Sequence, residues 1–574
     1  MKWNLQYTNP FSVINFKKNL NINNILSKIL INRGINLNTA KAILNNPLEL
    51  LDSPYDIYGA EDVAEEIIEL SSDEKQVEFW VFADYDVDGL TAGYVMKTFL
   101  SLALKLNVEV YYPSRSEGYG LNMNFCKDIV NKAKIDKDKK IVVITVDNGI
   151  TKIDEVQYLK HNNIDIIVTD HHEPKINGEI PLANAICDAF LSNKSSGKHL
   201  CGATIAWKIC SIIEDKLKLD TGIIEALLPY ISLATVADVM PMTPENIALV
   251  NLGLDIINNN NAPRLNMILQ HTGVKKATYK DLGWNIAPKL NSCSRMDNIE
   301  LAQDFFEAPD LDSINDVVLE ILELDEARKS LVKKAVEQAE KEDYEKDSVC
   351  IFDTSEYGQG IAGIIAGKLA EKYNKPAITI SKNEIDNSYT GSVRSIAGIN
   401  IFQSLCKEKA NDNLIDCGGH AEAAGLKLAE DKLSDFKESI NKEISSIFKE
   451  LDIDINEKSI QIDTDINLSD INNETLDSIN LIPYDNLNFK APLFLIKNLT
   501  VTNTRTSNNN PNNICFTLKD DNDLKQEMWG WGLADKYKSL NNPLKIDVIG
   551  KLDIGFGKNA NQAVFVITDL KESA

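Results

Sequence analysis

From residue 77 the chain alternates short, nearly uninterrupted apolar runs with longer amphipathic stretches. The runs 79–83, 108–112, 141–146 and 164–169 have strand length, and the segments between them, such as 92–104 and 152–161, carry a helical period. Strands that are apolar on both faces and separated by helices form a parallel sheet covered on both sides, so an α/β first domain is predicted. Ahead of it, helices at 24–32, 38–44 and 61–70, with turns at Pro47 and Pro54, make residues 1–74 a helical N-terminal region. Beyond it, the charged and helically periodic 313–345 segment has few breakers and predicts a helix joining two lobes. A second α/β pattern with glycine-rich turns follows over 349–451. From about 460 to 570 strands dominate, between turn clusters such as SNNNPNN and KDDND, which predicts a small barrel or sandwich. The predicted organisation is a helical region at 1–74, an α/β domain at 75–312, a connecting helix at 313–346, a smaller α/β domain at 347–455 and a β domain at 456–574.

Composition narrows the class. A chain of 574 residues supports several domains with sizeable cores. Its 44% apolar and 25% charged residues are those of a globular protein rather than a disordered one. No apolar run reaches the roughly 18 residues of a membrane span, and MKWNLQYTNP has none of the parts of a secretory signal, so a cytoplasmic location is expected. Nine cysteines without a C-x-x-C pair indicate neither a disulfide framework nor a cysteine zinc site. A net charge of −25 argues against a broad duplex-DNA clamp. It leaves room for a narrow groove, and bound cations would change the local sign. Arginine is scarce, seven among sixty basic residues. Where it is kept, a two-pronged grip on phosphate that lysine cannot make is the expected reason.

Three of the predicted strands end in acidic or histidine residues: Ala83-Asp84-Tyr85-Asp86-Val87-Asp88-Gly89, Val146-Asp147-Asn148-Gly149 and Thr169-Asp170-His171-His172. The carboxyl ends of parallel strands lie on one edge, where ligands bind at the switch in strand order, so these segments should converge. If the extended backbone continues past Ala83, then Asp84, Asp86 and Asp88 point to one side. Gathered carboxylates repel one another unless protonated or neutralised by cations. Carboxylates with a few imidazoles and no thiolate suit manganese or magnesium better than zinc. Two such ions about 3.5–4 Å apart activate water and clamp the oxygens of a phosphoryl centre, so hydrolysis of a phosphate ester or anhydride is the chemistry expected. Each cluster also has a plainer explanation. A single Asp after a strand is commonly a helix cap, and Asp-x-Asp-x-Asp-Gly would suit a calcium loop were its glutamate at position twelve present.

These residues resemble the DHH phosphoesterase superfamily, named for the triplet that here is Asp170-His171-His172. Over residues 77–570 the chain is similar to the branch that degrades single-stranded DNA in the 5′→3′ direction. ADYDVDGLTAG, TVDNGI, VTDHHEP and ATVADVMP match its four acidic motifs, and PSRSEGYGLN, NSCSRM, GSVRS and GGHAEAAG its substrate-gripping ones. The resemblance implies a DHH catalytic domain, a DHHA1-like substrate-binding domain and a C-terminal OB-like barrel. It implies that Asp86, Asp88, Asp147, His171 and Asp238 hold two divalent cations, Mn2+ or Mg2+, with Asp147 as bridge and Asp84 acting directly or through water. Asp170 would orient a histidine, and His172 would contact the scissile phosphate. Arg115, Arg295, Ser392, Arg394, Gly418, Gly419 and His420 would grip the strand, Arg295 close to the chemistry, and Tyr119 would stack on a terminal base. Trp529 and Trp531, at strand spacing, should share a face of the barrel, with Phe516 beside them.

The implied function is a single-strand-specific exonuclease releasing 5′-mononucleotides in DNA recombination and repair. It would act as a monomer, in company with a helicase and a single-strand-binding protein, and without a membrane. Two alternatives stand beside it: a phosphodiesterase for short oligonucleotides, cyclic dinucleotides or pyrophosphate, and a non-catalytic replication or repair scaffold. The chain departs from the family pattern at Cys187-Asp188-Ala189, at Asn246-Ile247, at Ser294, at Tyr357-Gly358-Gln359-Gly360 and at Pro483-Tyr484-Asp485.

Overall fold

The computed structural model describes residues 2–573 apart from 73–75, 136–138, 176–177, 193–196, 384–386, 451–458, 485–489, 509 and 556–561. The expected domain limits at 74/75 and 455/456, and Asp485, lie outside the described residues. Strand β1 is Lys2–Leu5, and the first domain is built on β2 (Gln76–Ala83), β3 (Asn107–Tyr111), β4 (Lys139–Val146), β5 (Asp165–Asp170) and β6 (Ala185–Asp188). These five form a sheet in the order β3-β2-β4-β5-β6, every neighbouring pair parallel. The direction of winding reverses between β2 and β4, so a crevice opens at their carboxyl ends. Phe79, Val81, Val142, Ile144, Ile166 and Ile167 are fully buried, as two-sided burial of a parallel sheet requires.

Helices Val87–Leu102 and Gly202–Leu217 pack against the sheet, Ile223–Ala237 packs against both of them, and the helix Leu311–Ala339 leads to the second lobe. That lobe holds β7 (Cys350–Asp353), β8 (Ala377–Asn383), β9 (Ser388–Arg394), β10 (Asp416–Gly419) and β11 (Ala423–Ala429), in the order β10-β11-β9-β8-β7. The last unit comprises β12 (Ser459–Ile462), β13 (Thr464–Asp465), β14 (Phe494–Thr506), β15 (Ile514–Lys519), β16 (Lys525–Gly530), β17 (Lys545–Ile554) and β18 (Ala563–Glu572). Strands β14 to β18 close into a five-stranded barrel, because β14 pairs with β17 as well as with β15. Its core is continuous with that of the first domain, so the barrel is docked firmly rather than tethered. Strand β1 pairs in parallel with β12, and the Trp3 indole donates to Asp569 at 3.0 Å, fastening the start of the chain to the barrel. No described helix is long and apolar enough to cross a membrane.

One local expectation is corrected. The backbone does not stay extended through Asp88, because the helix Val87–Leu102 begins at once with Asp86 as its N-cap, accepting from the Asp88 and Gly89 amides at 3.0 and 3.2 Å. The three aspartates are gathered by a strand-to-helix turn, not by strand alternation.

Candidate active site

The crevice collects the acidic residues from separate chain segments. Asp84 and Asp86 lie between β2 and its helix, and Asp88 is in that helix's first turn. Asp147 follows β4 with φ +62°, a left-handed conformation that Asp tolerates better than most side chains. The next residue, Asn148, ties the crevice together. Its amide donates to the carbonyls of Phe82 (3.2 Å) and Val146 (2.9 Å), and its oxygen accepts from Leu121 (3.0 Å). Asp238 is the C-cap of the helix Ile223–Ala237.

His171 sits at the centre, its Nε2 lying 3.0 Å from Asp147 Oδ1, 3.7 Å from Asp88 Oδ2 and 3.8 Å from Asp238 Oδ2. Among the described residues three groups of possible ligands result, Asp88–His171–Asp238, Asp84–Asp86–Asp147 and Asp147–His171–His172, the atoms of each lying within 4.8 Å of one another. Asp147 belongs to the last two and, through His171, adjoins the first. Burial and the surrounding carboxylates push Asp84, Asp147 and Asp238 well above the usual carboxylate range, and Asp88 to about 6. Burial and neighbouring His172 lower His171 to about 3, so its imidazole is neutral and free to act as a ligand. Asp84 Oδ1 and Asp147 Oδ1 are buried without a hydrogen-bond partner. Orphaned acceptors, crowded like charges and a neutral imidazole fit divalent cations.

The supporting contacts explain which side chains are left for ligation. Asp88 is held by the first amides of the helix Gly202–Leu217, Gly202 at 2.6 Å and Ala203 at 2.8 Å, where the helix dipole favours an anion. A Cβ on Gly202 would lie 2.5 Å from Asp147 Oδ1, so only glycine lets this helix approach. Asp170 accepts from the Ile150 amide at 3.0 Å and from His172 Nδ1 at 2.8 Å. The histidine it orients is therefore His172. Burial would lower His172, but the Asp170 carboxylate prevails and raises it to about 9, so at neutral pH it is a cation. Tyr119 donates to the Asp147 carbonyl at 3.1 Å and sets its ring edge-on to His172, at 5.4 Å between centroids.

Opposite the acids lies a cluster of guanidiniums. Arg115 Nε donates to Ser294 Oγ at 3.2 Å, and its guanidinium lies over the Tyr85 ring at 4.2 Å. The departure at Ser294 thus supplies Arg115 with a partner that glycine could not. Arg295 donates to the Gly360 carbonyl at 3.0 Å. A Cβ on Gly360 would come within 2.0 Å of the Arg295 carbonyl, which keeps the joint between the lobes tight. Burial, and then Arg115, Arg328 and Arg394, lower Arg295 to about 9. Arg328, on the helix Leu311–Ala339, belongs to none of the sequence motifs. It completes the cluster, held by Asp325 at 2.7 Å.

In the second lobe, Ser392, Gly425 and Gly418 lie side by side across β9, β11 and β10, with Arg394 opposite Ala423 and His420 just beyond β10. Arg394 lies close enough to Arg295 for its charge to act on it, so this edge reaches the crevice. Gly202, Ala203 and Ile150 were also missed from sequence; they act through backbone amides and carry no side-chain signal. Asp188, another departure, caps the turn after β6 by accepting from the Phe190 (2.7 Å) and Leu191 (3.2 Å) amides. Asn246 donates to the carbonyls of His199 (2.7 Å) and Pro241 (2.8 Å). On the barrel, Trp529 and Trp531 stack at 5.3 Å with planes 8° apart. Phe516 does not join them, being fully buried in the barrel core against Tyr537.

Comparison with known proteins agrees with this layout. Residues 78–235 match the DHH family N-terminal domain, residues 346–446 the DHHA1 domain and residues 462–569 the RecJ OB domain. The chain is 26% identical to the single-stranded-DNA-specific exonuclease RecJ of Bacillus subtilis, over 99% of this chain and 70% of that one. With the protein of the same name from Haemophilus influenzae it shares 28% identity, over 79% of this chain and 80% of that one. Its fold is similar to the crystal structure of RecJ in complex with Mn2+ from Thermus thermophilus, with a TM-score of 0.81, 22% identity, and coverage of 100% of this chain and 80% of that one.

Proposed function

We propose that this chain, which belongs to the DHH family, is a divalent-cation-dependent exonuclease that degrades single-stranded DNA from its 5′ end to 5′-mononucleotides, in DNA recombination and repair. The observation that carries the reading is the meeting of Asp84, Asp86, Asp88, Asp147, His171 and Asp238 in one buried crevice, faced by arginines. Asp86, Asp88, Asp147, His171 and Asp238 would hold two ions, manganese or magnesium, with Asp147 shared and Asp84 adjoining. When bound, the ions supply Lewis-acid stabilisation and an activated water. His172, kept protonated by Asp170, donates to a non-bridging oxygen of the scissile phosphate. Arg115, Arg295 and Arg394 hold the phosphates in line with the attacking water and offset charge as it develops. Ser392, Gly418, Gly419 and His420 form the opposing wall, and Tyr119, 38% exposed, offers a face to the terminal base.

The docked OB barrel supports a long substrate over a cyclic dinucleotide or pyrophosphate, because stacked Trp529 and Trp531 add hold well beyond the reacting nucleotide. The full set of acidic residues supports an enzyme over a scaffold. The same reading places the protein in the cytoplasm with a helicase and a single-strand-binding protein, on family resemblance. The test is incubation of 5′- and 3′-labelled single and double strands with manganese or magnesium, followed by sizing of products. Mononucleotides released from the 5′ end of single strands are expected. Absence of hydrolysis with either ion, or equal attack on duplex, would contradict the reading.

A further inference from the structure

Asp88, His171 and Asp238, the possible ligands of one cation, come from separate segments, yet one short stretch of backbone, residues 199–203, is tied to all three. The Gly202 and Ala203 amides hold the Asp88 carboxylate at 2.6 and 2.8 Å. The Leu200 backbone is hydrogen-bonded to the His171 ring, the kind of bond that fixes which ring nitrogen faces an ion. Asp238 is reached one step further out. The His199 carbonyl accepts from Asn246 Nδ2 at 2.7 Å, and the same nitrogen donates at 2.8 Å to the carbonyl of Pro241, three residues after Asp238.

Three observations mark this link as built rather than incidental. Asn246 is fully buried, and its Oδ1 has no hydrogen-bond partner. An unpaired buried acceptor costs free energy, so the amide is kept for its two donations, and carbonyls on both sides, which only accept, fix its orientation. Next, the start of the helix Pro244–Asn258, which carries Asn246, is locked to the helix that follows residues 199–203. Glu245 is ion-paired with Lys208 of the helix Gly202–Leu217, both side chains 2% exposed, while the Asp52 amide donates to Glu245 at 3.0 Å and the Asp52 carbonyl accepts from Lys208 at 2.7 Å. Last, the chain between Asp238 and Asn246 is strained. Val239 has φ +55°, which costs a β-branched residue energy and persists only where the surroundings over-determine the backbone. Here both ends of the turn are fixed, by the Asp238 amide on the Ala234 carbonyl at 2.9 Å and by Asn246 on Pro241.

We propose that Asn246 is a positioning residue for the cation between Asp88, His171 and Asp238, setting the place of Asp238 relative to the other two through its paired donations to His199 and Pro241. Asn246 is not itself a ligand. Its effect falls on one cation, because the other group, Asp84–Asp86–Asp147, follows the ends of β2 and β4 and not these loops. The inference rests on the two-cation reading above and names what sets one of its sites.

The test reads metal binding apart from hydrolysis. Manganese is titrated calorimetrically into metal-free full-length protein, wild type and Asn246→Ala, with Asp238→Asn to identify the ion concerned and Asn258→Ala as a control. Asn258 lies at the far end of the same helix and exchanges hydrogen bonds of 3.0 and 2.7 Å with Ala277, so its loss lowers stability without touching the loops. The wild type is expected to bind two ions. Asn246→Ala should weaken the ion that Asp238→Asn also weakens about 10–100-fold, and leave the other within about twofold. Asn246→Ser, whose hydroxyl can donate to only one carbonyl, should fall between, and it carries the comparison if the alanine variant does not fold. With every ligand in place, turnover of Asn246→Ala at saturating manganese should return to within about threefold of wild type, a rise in the manganese required rather than a loss of kcat. Asn258→Ala should lower Tm with both affinities unchanged. The proposal is overturned if the Asn246 variants leave both affinities unchanged or weaken both equally, if turnover stays low at saturating manganese, or if Asn258→Ala reproduces the loss. A wild type that binds no second ion would sink the two-cation reading and this inference with it. A wild type that cleaves no labelled strand, while Asn246→Ala loses one ion as expected, would sink the nuclease reading alone.

Discussion

The two walls of the crevice are built from opposite charges by opposite means. On one side the six groups proposed as ligands arrive from sheet-edge turns and two helix ends, and burial with mutual repulsion pushes the carboxyls of Asp84, Asp88, Asp147 and Asp238 up. On the other, Arg115, Arg295, Arg328 and Arg394 arrive from two domains and the connecting helix, and burial with mutual repulsion pushes Arg295 down. Each wall is unfavourable alone. The acids call for cations and the arginines for phosphate, so the crevice is arranged for both together. The difference lies in how each wall is supported. The acids are pinned by amides of rigid elements, such as Gly202 and Ala203 on Asp88. The arginines depend on the fit between lobes, through Gly360 against Arg295. Damage to the first wall should therefore show in turnover, and damage to the second in strand binding.

The largest effect is expected from Asp147→Ala. Loss of the shared ligand should lower kcat by about 10³-fold or more while circular dichroism and melting of the metal-free protein stay near wild type, since one repelling charge is removed. Near-normal turnover in that variant would break the comparison. Asp170→Asn leaves the ligands in place but loses the charge that keeps His172 protonated, and a fall of about 10–100-fold in kcat is expected. Arg394→Ala should raise KM for single strands about tenfold, with manganese affinity by calorimetry unchanged. Equal loss of both would mean that the walls are not separable.

The pH dependence sharpens the same contrast. Because the folded protein raises Asp88 to about 6 from an ordinary 3.8, the metal-free protein gains stability from its protonation at low pH and loses it as pH rises through about 6. Divalent cations remove that loss. The melting temperature gained on adding manganese to chelated protein should therefore grow between pH 5 and pH 8, and a constant gain would argue against cation-neutralised acids. The smallest effect is expected on the barrel, where Trp531→Ala should raise KM for long strands only a few-fold, because its stack is one of several.

How much of this was legible depends on sequence distance. The parallel sheet could be read because each two-sided apolar strand declares itself locally, and its acids followed because chain direction puts strand ends on one edge. The turn at Asp86 could not be read, since strand continuation and helix capping use the same aspartate. Ranges near the N-terminus were readable as helices, but β1 was not, its partner β12 lying more than 450 residues away. The fourth arginine, Arg328, was hidden in a helix that reads as a solvated connector. The amides on Asp88 and Asp170 have no side-chain signature at all.

The account depends on paired cations held between Asp88–His171–Asp238 and Asp84–Asp86–Asp147. Anomalous diffraction from crystals of the full chain soaked in manganese measures this most directly. Two peaks about 3.5–4 Å apart, both within coordination distance of Asp147, are expected. A single peak, or peaks away from His171 and Asp147, would contradict it.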